Sequence, residues 1–203
     1  MSEEPLTINL ITLGYTEVGK TAYLIRNTEN KFGPSLSTVG IDLRLKKIEL
    51  ENGKKVNVKF YDTSGQERYR SLSANFIKRA DGIILMYDIT NRESFDAISR
   101  WWHDIKEHKE NDFPVILVGN KCDLENERKV KKEEGESKSK EYNAKFYEVS
   151  NKDGTNVEES SRELIKIVLS RMPNDIKSSK PTNLKLSKKK LKIRICSFSR
   201  IKC

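Results

Sequence analysis

The chain has 203 residues and a formal net charge of +9, long enough for one domain with a sizeable core. Apolar runs recur through the first 170 or so positions, which excludes a disordered chain. The charge is lopsided: Asp175–Cys203 carries ten Lys or Arg against one acid, so residues 1–174 sum to zero and the basic balance is no argument for nucleic-acid binding by the body.

In chain order, Leu6–Leu13 alternates apolar and polar residues and ends on Gly14, the pattern of a strand. A glycine-rich stretch leads into a short helix through Tyr23, Leu24 and Ile25, and Asn27 to Gly40 reads as a polar loop. Two alternating runs, 41–50 and 54–62, flank Glu51-Asn52-Gly53-Lys54; Asn-Gly at that place predicts a hairpin. Gly82–Asp88 and Pro114–Asn120 are continuous apolar runs, suited to central strands covered on both faces. Lys145–Ser150 is a shorter strand. Helical patterns occupy Ser94–His108, Val130–Tyr142 and Asn156–Arg171. The alternation implies an α/β fold, a mostly parallel six-stranded sheet with one antiparallel edge strand and helices on both faces. After Pro173 the periodicity stops. The expected organisation is a folded domain over 1–173 and a flexible basic tail over 174–203.

Cys122, Cys196 and Cys203 show neither disulfide-framework nor zinc spacing, consistent with a reduced, cytoplasmic setting. No stretch is long and apolar enough to span a bilayer, and the first residues lack the regions of a signal peptide. Trp101, Trp102, His103 and His108 share a helical pattern with no ligand partners at metal spacing, so core and surface roles are expected of them.

Gly14-Tyr15-Thr16-Glu17-Val18-Gly19-Lys20-Thr21 fits the P-loop pattern of a glycine, four residues, then Gly-Lys-Thr. Backbone N–H groups of such a loop wrap a phosphate at the start of a helix, whose dipole favours an anion. Gly19 leaves room for the backbone to approach, Lys20 reaches the β- and γ-phosphates, and Thr21 offers its hydroxyl to Mg²⁺. A chance glycine turn is the competing reading. It fits poorly because the stretch lies between a strand and a helix.

Four further stretches follow, and with them the chain resembles the Ras-like GTPases. Thr38-Val39-Gly40 resembles switch I, Asp62-Thr63-Ser64-Gly65-Gln66-Glu67 switch II, Asn120-Lys121-Cys122-Asp123 the guanine-specificity motif, and Ser150-Asn151-Lys152 the Ser-Ala-Lys motif that closes over the base. The resemblance implies GTP or GDP with Mg²⁺ as ligands. Thr16, Glu17, Val18, Gly19, Lys20, Thr21 and Ala22 would line the phosphates, with Gly65 beside them. Thr21, Thr38 and Asp62 would hold the metal. Asn120, Lys121, Asp123, Ser150, Asn151 and Lys152 would hold the base. Asp123 can accept two hydrogen bonds from guanine, and adenine lacks that donor pair. Phe32 would stack on the base, although a loop phenylalanine also serves packing. In catalysis Gln66 would position water, Thr38 would order switch I, and Lys20 would stabilise developing charge.

Val39–Leu43, Ser64–Leu72 and Arg79–Phe95 resemble the Rab branch, and the likeness covers about Leu6 to Arg171. Leu43, Tyr61 and Phe76 fall where Rab proteins carry an effector patch; half-buried packing at the sheet edge is the other reading. The departures are Glu17 where a small residue is usual, a switch I one residue short between Phe32 and Thr38, Ser64 for Ala, Tyr61 for Trp, and Asn151 for Ala. The expected function is a monomeric GTP hydrolase that cycles between nucleotide states in vesicle traffic. Its expected partners are effectors, an exchange factor and an activating protein, with no nucleic acid. A non-catalytic nucleotide-dependent scaffold is the alternative, motivated by Glu17 and the short switch I. Cys203 is the candidate lipidation site and Cys196 a second one. With the basic run Lys188–Lys190, Lys192 and Arg194, it implies peripheral attachment to the cytosolic face of endomembranes, against a simply solvated basic tail.

Overall fold

The computed structural model describes residues 6–33, 38, 40–50, 53–65, 70–110 and 112–172. Six strands form one sheet: β1 (Leu6–Gly14), β2 (Ile41–Glu49), β3 (Lys55–Thr63), β4 (Gly82–Asp88), β5 (Val115–Asn120) and β6 (Lys145–Val149). Their spatial order is β2-β3-β1-β4-β5-β6. All neighbours are parallel except β2 and β3, whose antiparallel register sets Leu43 opposite Tyr61. The expected α/β sheet with one antiparallel edge is the observed one.

Burial follows the sequence pattern. Every residue of β4 and β5 is buried, as continuous apolar strands require, whereas edge strand β2 has no buried residue. Side chains alternate faces along each strand. Ile8 and Leu10, Ile84 and Met86, Ile116 and Val118 face one layer, with Tyr23, Leu24, Leu164 and Val168 of α1 (Lys20–Glu29) and α6 (Val157–Arg171). Ile11 and Leu13, Ile83 and Leu85, Val115 and Leu117 face the other. That layer holds Ile77 of α2 (Arg70–Arg79), Phe95 of α3 (Arg92–Asp96), Trp101 and Ile105 of α4 (Ile98–His108), and Tyr142 just after α5 (Lys132–Glu141).

Three elements differ from the sequence reading. Helix α1 continues to Glu29, past Asn27, because Asn27 is buried and donates through Nδ2 to Val157 O at 3.2 Å. The Ser94–His108 pattern is two helices joined at Ala97; α3 starts earlier because the Asn91 side chain accepts from Ser94 N. Helix α2 is not among the helices expected from the sequence; its segment is weakly patterned around Ile77 and Ala80, both buried.

β1 is the topological switch point. The chain leaves it for β3 on one side and later returns to β4 on the other, and open α/β sheets bind ligands beyond the strand ends at such a place. The registers Thr12↔Asp62, Gly14↔Met86 and Asp88↔Asn120 align those ends.

Candidate functional site

The loop between β1 and α1 spans residues 15–19. At Gly19, φ is +93°, and a side chain there would collide with the amides of Asn120 and Asn151. Val18 is buried and anchors the loop beneath. Glu17 also has positive φ, 59°, and is exposed; Lys31 pairs with Glu29 at 3.6 Å. Thr16 and Ala22 border the loop at intermediate exposure. Gly65 lies against the backbone of Tyr15 and Thr16, where a Cβ would come within 2.5 Å of Thr16 N.

Lys20 is the first residue of α1 and 5% exposed. Its Nζ donates to Gly14 O at 2.9 Å and Tyr15 O at 2.7 Å. Burial pushes its ammonium down to about 8, partly opposed by the charge of Asp62. The first turn of α1 carries no acid and its N-cap has no side-chain partner. A desolvated ammonium at a helix start without a carboxylate contact is suited to an anion.

Asp62, at the end of β3, is fully buried. Its Oδ2 accepts from Thr21 at 2.7 Å and from Thr38 at 3.3 Å, and the two hydroxyls lie 2.8 Å apart. Its Oδ1 is buried with no partner. Burial raises its pKa, while the two hydroxyls and Lys20 hold it back. Among the described residues no cluster of three His, Cys, Asp or Glu could hold a metal ion. The donors here are instead one carboxylate and two hydroxyls, hard oxygens of the kind Mg²⁺ takes when phosphates and water complete its shell. The orphaned Oδ1 beside two converging hydroxyls fits such an ion.

On the opposite side of the loop, Asn120 ends β5 and donates through Nδ2 to Val18 O at 2.7 Å. Lys121 has φ 66° and pairs with Asp88 at the end of β4. It therefore braces the strand ends. Asp88 is buried and also accepts from Thr90 N and Oγ1. Sequence reasoning passed over Asp88, although an acid ending an apolar strand was a visible signal. Asp123 is exposed, and its Oδ1 accepts from Ser150 Oγ at 2.7 Å. Asn151 is 4% exposed and donates to Gly19 O at 3.0 Å. Lys152 is exposed, and its carbonyl accepts from Arg26 of α1, another residue the sequence reading missed.

Phe32 is 53% exposed in the loop after α1. Gln66 and the tail residues, Cys196 and Cys203 included, lie outside the described residues. On the far edge Leu43 and Leu45 are exposed, while Tyr61 and Phe76 are half-buried with ring centroids 5.1 Å apart.

Five segments far apart in sequence thus meet at one end of the sheet. The Ras-family profile matches residues 9–170. Ras-related protein Rab-8B of Bos taurus is 42% identical over 174 residues, 84% of this chain and 84% of that protein. Rab-3A of Homo sapiens is 39% identical over 173 residues, 85% of this chain and 78% of that protein. Rab-10 of Diplobatis ommata is 40% identical over 169 residues, 83% and 84%. The chain belongs to the Ras family, as a small GTPase of the Rab type.

Its activity is GTP hydrolysis, its ligand is a guanine nucleotide, and its setting is membrane traffic. Family membership does not favour the non-catalytic scaffold. No helix among the described residues is long and apolar enough to cross a membrane.

Proposed function

We propose that this Rab-type GTPase binds GTP or GDP in the cleft between the P-loop and the loops of Asn120–Asp123 and Ser150–Lys152, and signals through the segments around Thr38 and Gln66. The observation that carries this reading is the convergence of the Thr21 and Thr38 hydroxyls on Asp62 Oδ2, with Asp62 Oδ1 left unpartnered, next to the buried Lys20. Thr21, Thr38 and Asp62 would hold Mg²⁺, which when bound neutralises phosphate charge. Lys20 exchanges its two loop carbonyls for phosphate oxygens. Thr38 engages the site only when switch I is closed, so its position reports the nucleotide state. Gln66 orients the attacking water. Asp123, oriented by Ser150, accepts from guanine, and Phe32 covers the base.

Effectors, an exchange factor and an activating protein engage the switch segments, and the exposed Leu43 with Tyr61 and Phe76 forms the effector patch. Residues 1–173 form the GTPase domain. The tail with Cys203 and Lys188–Lys190 attaches it to a cytosolic membrane face. The test is nucleotide released from the denatured purified protein, identified by chromatography, followed by GTP turnover with Mg²⁺ or with a chelator. The expected result is bound guanine nucleotide near one per chain and Mg²⁺-dependent turnover on the order of 10⁻⁴ per second. Absence of both would overturn the reading.

A further inference from the structure

Asn120 and Asn151 approach the P-loop together. Asn120 Nδ2 donates to Val18 O at 2.7 Å, and Asn151 Nδ2 donates to Gly19 O at 3.0 Å. Both side chains are almost fully buried, 1% and 4% exposed. Both amides pack on Gly19, where a Cβ would lie 2.9 Å from Asn151 Nδ2. The acceptors are carbonyls, so only the NH₂ end of each amide can face them, which fixes both orientations. Gly19 O also accepts Tyr23 N at 2.8 Å, the first turn of α1. The bond from Asn151 therefore ends on the hinge between loop and helix. Its backbone is fastened as well: Asn151 O accepts from Arg26 Nε at 2.9 Å. Alanine, the residue of the motif this stretch resembles, could make the backbone contact and not the side-chain one.

We infer that Asn151 is a second tether of the phosphate loop, a positioning residue that couples the base-binding loop to the P-loop and slows nucleotide release. The inference rests on the nucleotide cleft described above. A polyphosphate wrapped by backbone N–H groups leaves only when the loop opens. With two tethers on successive carbonyls, opening must break both bonds, and the base loop moves with the phosphate loop. One tether removed leaves Gly19 O still paired to Tyr23 N, so the loss is a single hydrogen bond without a newly orphaned acceptor. The action is on the loop and not on the base, so release of GDP and of inosine diphosphate changes by the same factor.

The test uses the full chain loaded with a fluorescent GDP analogue and chased with excess unlabelled GDP. Asn151→Ala is expected to raise the dissociation rate three- to tenfold. The far-ultraviolet circular dichroism spectrum of the variant is expected to match the parent's, which separates faster release from general damage. Asn151→Asp sets a carboxylate against the Gly19 carbonyl and is expected to release faster than the alanine variant. The GDP and inosine diphosphate rates are expected to rise in parallel. A dissociation rate for Asn151→Ala within 1.5-fold of the parent, or an Asn151→Asp protein slower than the parent, would overturn the tether. So would an altered circular dichroism spectrum alongside release, which marks general damage. If the parent holds the analogue and the variants behave like it, only the tether fails. If the parent holds no guanine nucleotide, the cleft itself fails and the tether with it.

Discussion

Glu17 occupies the left-handed region at φ 59° with its side chain in solvent. Two effects oppose each other on Glu17→Gly. Relief of the left-handed conformation gains about 1 kcal/mol, and the freer unfolded chain loses about as much. Stability in urea is therefore expected to change by under about 1 kcal/mol. The carboxylate is exposed, so GDP affinity should change less than about tenfold, or 1.4 kcal/mol; titration calorimetry showing hundredfold tightening would mean that it faces the phosphates. Asp123 presents a carboxylate fixed by Ser150 at 2.7 Å. Asp123→Asn should weaken GDP by roughly a hundredfold and favour xanthosine diphosphate, because an acceptor becomes a donor facing the 2-amino group. Competition binding with the two nucleotides decides it, and equal GDP affinity in both proteins removes Asp123 from the site. Immediately before Asp123, burial pushes the Cys122 thiol up to about 11. Only the thiolate is nucleophilic. Timed alkylation at pH 8, read on the Cys122 peptide by mass spectrometry, should run about a hundredfold slower than for a free thiol and quicken as pH rises toward 11. A rate equal to a free thiol would show that the side chain is not held as described.

At the scale of elements, α4 is joined to the end of α5 by a ring stack. Trp102 and Tyr142 lie 4.3 Å apart at 9°, with Lys106 Nζ 5.6 Å from the Trp102 ring and Lys138 Nζ 5.4 Å from the Tyr142 ring. Tyr142 is 5% exposed and its hydroxyl meets Ser99 Oγ at 3.2 Å. Tyr142→Ala removes a buried ring and should cost about 3 kcal/mol in urea denaturation. GDP release should be unchanged, since none of these contacts touches the P-loop or base loops. Unequal release rates would show that the α4–α5 layer is coupled to the cleft. The same scale separates what could be read in the sequence from what could not. β4 and β5 were plain because strands buried on both faces need unbroken apolar runs. The hairpin was plain because Asn52-Gly53 interrupts two alternating runs. α2 was not, because among its described side chains only Ile77 is buried, with Ala80 just beyond the helix. The split at Ala97 was not, because both halves present apolar residues to the same layer, Phe95 and Ile98.

For the molecule as a whole, charge divides the chain into a neutral body and a tail of net +9. Changing Lys188, Lys189 and Lys190 to Gln should weaken binding to phosphatidylserine vesicles by about a hundredfold at low salt, at roughly 1 kcal/mol per basic residue. GDP binding should stay intact. Sedimentation with vesicles measures it, and equal binding would remove the lysine run from membrane attachment. The α/β alternation, the P-loop and the Ras-like order of motifs are all legible without a structure. These are local properties, since a loop that wraps phosphate with backbone N–H groups needs its residues contiguous, and strand burial shows in composition. Side-chain partners across the cleft needed the tertiary structure. Thr21, Thr38 and Asp62 share a carboxylate only because β3 lies beside β1 with Asp62 opposite Thr12. Lys121 meets Asp88 because β5 lies beside β4 with Asn120 opposite Asp88. Asn151 reaches Gly19 across 132 positions, a contact set by β6 beyond β5 and by Arg26 holding the next loop to α1. Sequence spacing carries no record of such pairs, because strand order and register decide which loop ends become neighbours.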